Sequence, residues 1–186
     1  MTAEFKSNTG LNCLPFCKAC CSSLRGEIEA SVFECLPLSI YLWQIREAEF
    51  FLHELDRTGS NHPCLLCNAD ENLPVSGGCK FYQWRPLVCR LFGFSAVLDK
   101  HGQAKIALCR TIRKADPDAE ERINRLIFKR MGVPVIPHLA QKASSLNPSL
   151  GQKRYPFHLG LKLALEMLGL RIGFMDGRMD EKKQSG

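Results

Sequence analysis

Long hydrophobic runs are missing from this 186-residue chain, and the apolar stretch free of charge from Cys35 to Ile45 is far too short to cross a bilayer. The opening MTAEFKSNTG has neither the basic n-region nor the apolar h-region of a secretory signal. These two absences predict a cytoplasmic protein without a membrane partner, in a compartment where thiols stay reduced. Catalytic signatures are scarce as well. There is no glycine-rich phosphate loop, no nucleophile elbow and no carboxylate pair. His53, His138 and His158 form no HExxH-type pair, and His101 falls in an expected turn. His62, two residues before Cys64, reads as a loop-surface histidine rather than a ligand. No internal repeat is visible.

Cysteine is what the chain has in excess. There are ten, all within residues 1–109, and four of them fall in CLPFCKACC, residues 13–21. An even count would permit a disulfide framework in a small secreted protein. No export signal is present, however, and the adjacent Cys20 and Cys21 bridge each other only with backbone strain. Metal coordination is therefore the leading reading. Charge divides the chain differently: residues 1–109 carry 10 Lys/Arg against 11 Asp/Glu, and residues 110–186 carry 15 against 8. The basic, cysteine-free part could meet an acidic protein partner or nucleic acid. Its charges are scattered, and no aromatic-interleaved RNA motif or zinc-finger helix appears, so a solvated helical surface is preferred over a nucleic-acid interface.

Apolar periodicity organises the rest. Tyr41, Ile45, Ala48, Leu52 and Leu55 recur at helical spacing and predict one helix between Pro37 and Gly59, with Ser39 near its start as a cap. Pro86 suits the first turn of a short helix, with Cys89 one turn inside. SAVLD and AKIAL flank Asp99-Lys100-His101-Gly102 and predict a β-hairpin ending near Cys109, the only β-structure expected. Asp116-Pro117-Asp118 opens a further helix burying Ile123, Leu126 and Ile127 and stopped by Gly132 and Pro134. The four prolines in residues 133–156 predict an extended connection, followed by a helix from Pro156 to about Gly169 and a flexible tail over 173–186.

The first block spaces Cys13, Cys17 and Cys20 as C-x3-C-x2-C, so one short loop could cap an iron–sulfur cubane or supply three sides of a zinc tetrahedron. Radical S-adenosylmethionine enzymes use the same spacing, but Ala19 replaces their usual aromatic and the chain has no βα repeats. Cys64 and Cys67 form half of a zinc knuckle with no second C-x2-C to complete it, since Cys79 and Cys89 stand ten apart. Cys35, in the apolar SVFECLP, reads as a buried thiol. Cys109 could return to the cluster through the hairpin. The C-x3-C-x2-C-C block, the Cys-Leu-Leu at 64–66, and the C-x2-Y-x2-R-P-x2-C-R of residues 79–90 together resemble the YkgJ-type cysteine-cluster family of zinc- or iron-chelating domains. The resemblance covers roughly residues 13–93. It implies Cys13, Cys17, Cys20, Cys21, Cys64, Cys79 and Cys89 as the metal ligands, with Cys67 an addition to the usual pattern.

Arg85, Arg90 and Lys18 lie beside these ligands in sequence, where they could offset excess thiolate charge, donate to sulfur, or simply pair at the surface. The expected fold is mainly α, with a small β-hairpin and a loop-rich, metal-organised cysteine cluster. It forms an irregular small domain over 11–110 with a helical extension over 111–172. The expected cofactor is zinc or iron, mononuclear or as an iron–sulfur cluster, and thiolate-only sites suit both. A metal-binding protein is the first functional reading, with a protein partner on the basic C-terminal helices. A cysteine cluster resembling this one also occurs in flagellin lysine methylases, which implies a metal- or cluster-dependent protein-modifying enzyme as the alternative. A basic nucleic-acid adaptor stands third.

Overall fold

The structure, a computed structural model, describes residues 2–14, 17–23, 28–58, 64–67 and 78–184. It is mainly helical, with ten α-helices and two antiparallel strand pairs among the described residues. Its principal core is built by helices from opposite ends of the chain. Helix α3 (Val32–Gln44) presents Cys35, Leu38 and Leu42, and helix α10 (Phe157–Gln184) presents Phe157, Leu161, Ala164 and Leu165. Helix α4 (Ala48–Thr58) closes the same core with Ala48, Phe51 and Leu55. Among the described residues no helix is long and apolar enough to cross a membrane.

Helix α3 starts at Ser31, not near Ser39. The Ser31 hydroxyl accepts from the Glu34 N–H at 3.3 Å, and Glu34 Oε2 accepts from the Ser31 N–H at 2.9 Å, a reciprocal capping box. Ser39 is buried inside the helix, where its hydroxyl donates to the Cys35 carbonyl at 3.0 Å. The single helix expected between Pro37 and Gly59 is two. Arg46 takes a φ of 60°, and the turn through Ile45 and Glu47 separates α3 from α4. The expected stripe fails because Ile45 remains exposed, and Phe51 joins Ala48 and Leu55 on the buried face. Gly59 lies outside the described residues.

Strand β1 (Glu29–Ser31) pairs with β4 (Arg154–Pro156), with Ala30 opposite Tyr155. This pair was not expected, because three-residue strands carry no readable alternation. Arg154 fastens it, donating to the Glu29 carbonyl at 2.6 Å and to Glu34 Oε2 at 3.1 Å. The hairpin forms as expected: β2 (Ser95–Leu98) pairs with β3 (Ala104–Ala107), and Gly102 adopts the φ of 74° that its turn requires. Helix α1 (Thr2–Thr9) sends Phe5 into a second core with Phe94, Ile106, Leu108 and Ile123.

The remaining helices revise the proline-rich connection. Helix α6 (Arg110–Ala115) precedes α7 (Ala119–Phe128), which buries Ile123 as expected and ends at Lys129, before Gly132. Residues 133–156 are mostly helical, with only the short strand β4 extended at their end. Pro137 and Pro148 occupy the first turns of α8 (Ile136–Leu146) and α9 (Pro148–Gly151), where a missing N–H costs nothing. Helix α10 runs through Gly169 without stopping. A Cβ there would stand 2.7 Å from Trp43 Cζ2, so the glycine serves close helix packing rather than termination.

Ser31→Ala removes the cap and one of the three groups that donate to Glu34 Oε2, while Oε1 is already buried without a partner. The variant is expected to lose about 1–2 kcal/mol of unfolding free energy in a denaturant titration. Unchanged stability contradicts the capping assignment.

Candidate metal centre

Four chain segments meet at the cysteines. The short helix α2 (Ala19–Ser23) carries Cys20 and Cys21, whose sulfurs are 3.9 Å apart. The Cys21 carbonyl accepts from the Cys64 N–H at 3.1 Å, which ties the second cysteine block to the first. Cys67 forms an isolated bridge with Cys79, supported by the Lys80 N–H donating to the Leu66 carbonyl at 2.9 Å. Gly78, with a φ of 59°, passes so close to Lys18 that a Cβ would meet Lys18 Cγ at 2.7 Å and the Cys17 carbonyl at 3.2 Å. Helix α5 (Leu87–Leu91), preceded by Pro86, supplies Cys89.

These segments enclose a cavity of about 50 Å³, lined by Cys20, Cys21, Cys64, Cys79 and Cys89, together with Arg85 and His158. The rest of the wall is apolar, including Ile28, Leu66, Val88, Phe92 and Phe157. The volume exceeds what one water-sized occupant needs. Five of the seven expected ligands thus share one space. Cys13 packs instead against the second core, as does Cys109, and Cys17 lies in the loop facing Gly78. Cys109 caps α6, its sulfur accepting from the Ile112 N–H at 3.4 Å. Cys35 is buried in the principal core, as expected. His62 lies outside the described residues.

Arg85 is the basic side chain of the cavity wall. Its guanidinium lies 3.5 Å from the centre of the Tyr82 ring, and its Nε donates to the Tyr82 carbonyl at 3.0 Å. From there its charge favours the thiolates of Cys13, Cys20, Cys79 and Cys89. Arg90 does something else. It donates from Nε to the Arg85 carbonyl at 2.7 Å, and from Nη2 to the Gln83 carbonyl, bracing the loop that holds Arg85.

Burial outweighs Arg85. Desolvation pushes the Cys89 thiol up to about 12, with Cys20, Cys79 and Glu34 adding to the effect. Cys79 and Cys13 are raised chiefly by burial too. Cys20 is raised first by its hydrogen bond with Cys21 and then by burial. For Cys21 the bond from Cys20 lowers the pKa, but contact with Cys64 and burial raise it more. Buried thiols that oppose one another's ionisation are the donor set that a cation relieves, since metal ligation deprotonates them. Among the described residues no three His, Cys, Asp or Glu side chains converge tightly enough to hold an ion. The thiols share a wall rather than a finished coordination polyhedron. The donors nevertheless fit a soft or borderline metal: the lining has sulfur and imidazole but no carboxylate, which suits zinc or iron and excludes a calcium-type site.

Sequence reasoning missed His158. It sits in the first turn of α10, half-buried, and burial holds its imidazole below the ordinary value. No local motif marks it, because β4 and α10 bring it to the cavity from far along the chain.

A cavity walled by thiols marks the chain as a cysteine-cluster protein. Residues 12–117, more than half of the chain, match the model of the CxxCxxCC family, whose description is "Putative zinc- or iron-chelating domain". The chain belongs to that family, in agreement with the resemblance carried by its cysteine spacing. The matched segment contains all ten cysteines and Arg85, but not β4, His158 or α10. No curated protein and no solved structure is significantly similar to the chain.

The raised Cys89 pKa fixes a sign. Folded protein keeps this proton from the ordinary value of 9.0 up to about 12, a range in which the unfolded chain loses it. The unfolded state then binds fewer protons, so stability falls as pH rises. Metal-free protein is expected to show a denaturant midpoint that declines across that range. A flat or rising midpoint contradicts the burial of Cys89.

Proposed function

We propose that this protein holds zinc or iron through thiolates of the cavity, with Cys20, Cys21, Cys64, Cys79 and Cys89 as the principal donors. The observation that carries this reading is the meeting of five cysteines from separate segments on one small cavity that also contains a guanidinium. Cys13 on the second core, Cys17 facing Gly78 and Cys67 bridged to Cys79 extend the donor set toward a second ion or an iron–sulfur cluster. The site works as a chelating centre that orders residues 11–110, with the basic helices beyond it facing a protein partner in a reducing, cytoplasmic setting. A protein-modifying enzyme on the same centre is the second reading. It is favoured by the apolar side of the cavity, where Phe92 stays 38% exposed and could receive a substrate side chain.

Anaerobic purification followed by metal analysis and visible absorption tests the proposal. Stoichiometric zinc in a colourless protein, or iron with sulfur-to-iron charge-transfer bands, supports it. Cys79→Ala and Cys89→Ala are expected to lose most of the bound metal, and Cys35→Ala to retain it. Removing the metal is expected to lower the melting temperature and broaden the transition. Protein that is metal-free after reconstitution, or indifferent to chelation, overturns the reading.

A further inference from the structure

The start of α10 is held against the cysteine cavity more firmly than its place outside the family segment suggests. The Phe157 N–H donates to the Ile28 carbonyl at 2.7 Å, and Pro156 pairs with Glu29 in the β1–β4 register. Three residues on, Gly160 passes under the Ala30 carbonyl, which a Cβ would meet at 3.1 Å. These contacts fix the helical turn that carries His158 on the cavity wall. Among the described residues its imidazole makes no hydrogen bond or ion pair, and its ring meets that of Phe157, centroid to centroid at 5.8 Å. An imidazole placed so, beside five thiols, is an uncommitted donor.

Charge gives the second argument. Four thiolates on a divalent ion leave a net charge of about −2, whereas three thiolates and one neutral imidazole leave about −1. The described lining supplies a single guanidinium, that of Arg85. The mixed set is the one this cavity neutralises.

We infer that His158 supplies a ring nitrogen to the metal held by the cavity cysteines, making the centre a thiolate–imidazole site completed from outside the family-matched segment. The inference rests on the metal-binding reading above. It ties the C-terminal helix to the metal, so that ligation and the β1–β4 closure reinforce each other.

X-ray absorption at the edge of the metal carried by the full-length protein tests it without any activity assay. The expected first shell contains sulfur at about 2.3 Å and one nitrogen at about 2.0–2.1 Å, with the outer scattering of an imidazole. His158→Ala and His158→Gln are expected to lose the nitrogen signal and to bind zinc about 10-fold or more weakly in chelator competition. His62→Gln is expected to keep the nitrogen signal. A sulfur-only shell in the unmodified protein overturns this inference and leaves the metal-binding function standing. So does a nitrogen signal that persists in a His158 variant or disappears in His62→Gln. If either His158 variant fails to fold, the unmodified and His62→Gln spectra decide. Protein that takes up no metal overturns both this inference and the proposed function.

Discussion

Close packing of α10 against α3 is the contact on which the other features rest. Gly169 sets its distance against the Trp43 ring, and the Trp43 indole donates to the Leu165 carbonyl at 3.1 Å, while Gly160 lets the same helix pass under the Ala30 carbonyl of β1. A larger residue at either glycine would push α10 away from α3 or from β1. The β1–β4 register, the Arg154 contacts to Glu29 and Glu34, and the His158 wall of the cavity would move with them. The residues that complete the cavity therefore take their positions from a core that holds two of the ten cysteines, Cys35 and Cys79, with Cys64 packed at its edge.

The cavity itself is shaped by an electrostatic conflict. Its thiols come from four cysteine-bearing segments, and apart from the bond that Cys20 gives Cys21 their contacts disfavour ionisation. Glu34, which secures α3, adds its negative charge to the field at Cys89 and Cys35. Arg85, stacked on Tyr82 and braced by Arg90, opposes that field but does not cancel it. Protein groups alone favour the protonated thiols of Cys20, Cys21, Cys79 and Cys89. A divalent ion would supply the positive charge that the fold withholds.

Much of this was legible in the sequence, and the division has physical causes. Cysteine spacing and the Arg-Pro-x2-Cys-Arg run identified the family, because ligand-bearing loops need particular residues at particular separations. The hairpin was legible because Gly102 fits a turn that few residues tolerate. The break at Arg46 was not, since a non-glycine residue with positive φ leaves no mark in an apolar pattern. Prolines misled in residues 133–156: Pro137 and Pro148 begin helices rather than interrupt them. Arg90 looked like a partner for thiolates, but the α5 turn places it beside carbonyls. His158 could not be found from spacing, as its neighbours in the cavity lie in distant parts of the chain.

The pairing of β1 with β4 joins residues 125 positions apart at the Arg154–Glu29 contact. During synthesis the cysteine loops leave the ribosome well before strand β4 and the first turn of α10 exist. At the usual pace of translation, about 5–20 residues per second, that interval lasts several seconds. For that time the nascent chain displays all ten thiols with one wall of their cavity unbuilt. The order of synthesis thus puts the cysteine loops before the wall that covers them, and an ion captured there would be sealed in only when the last helix arrives.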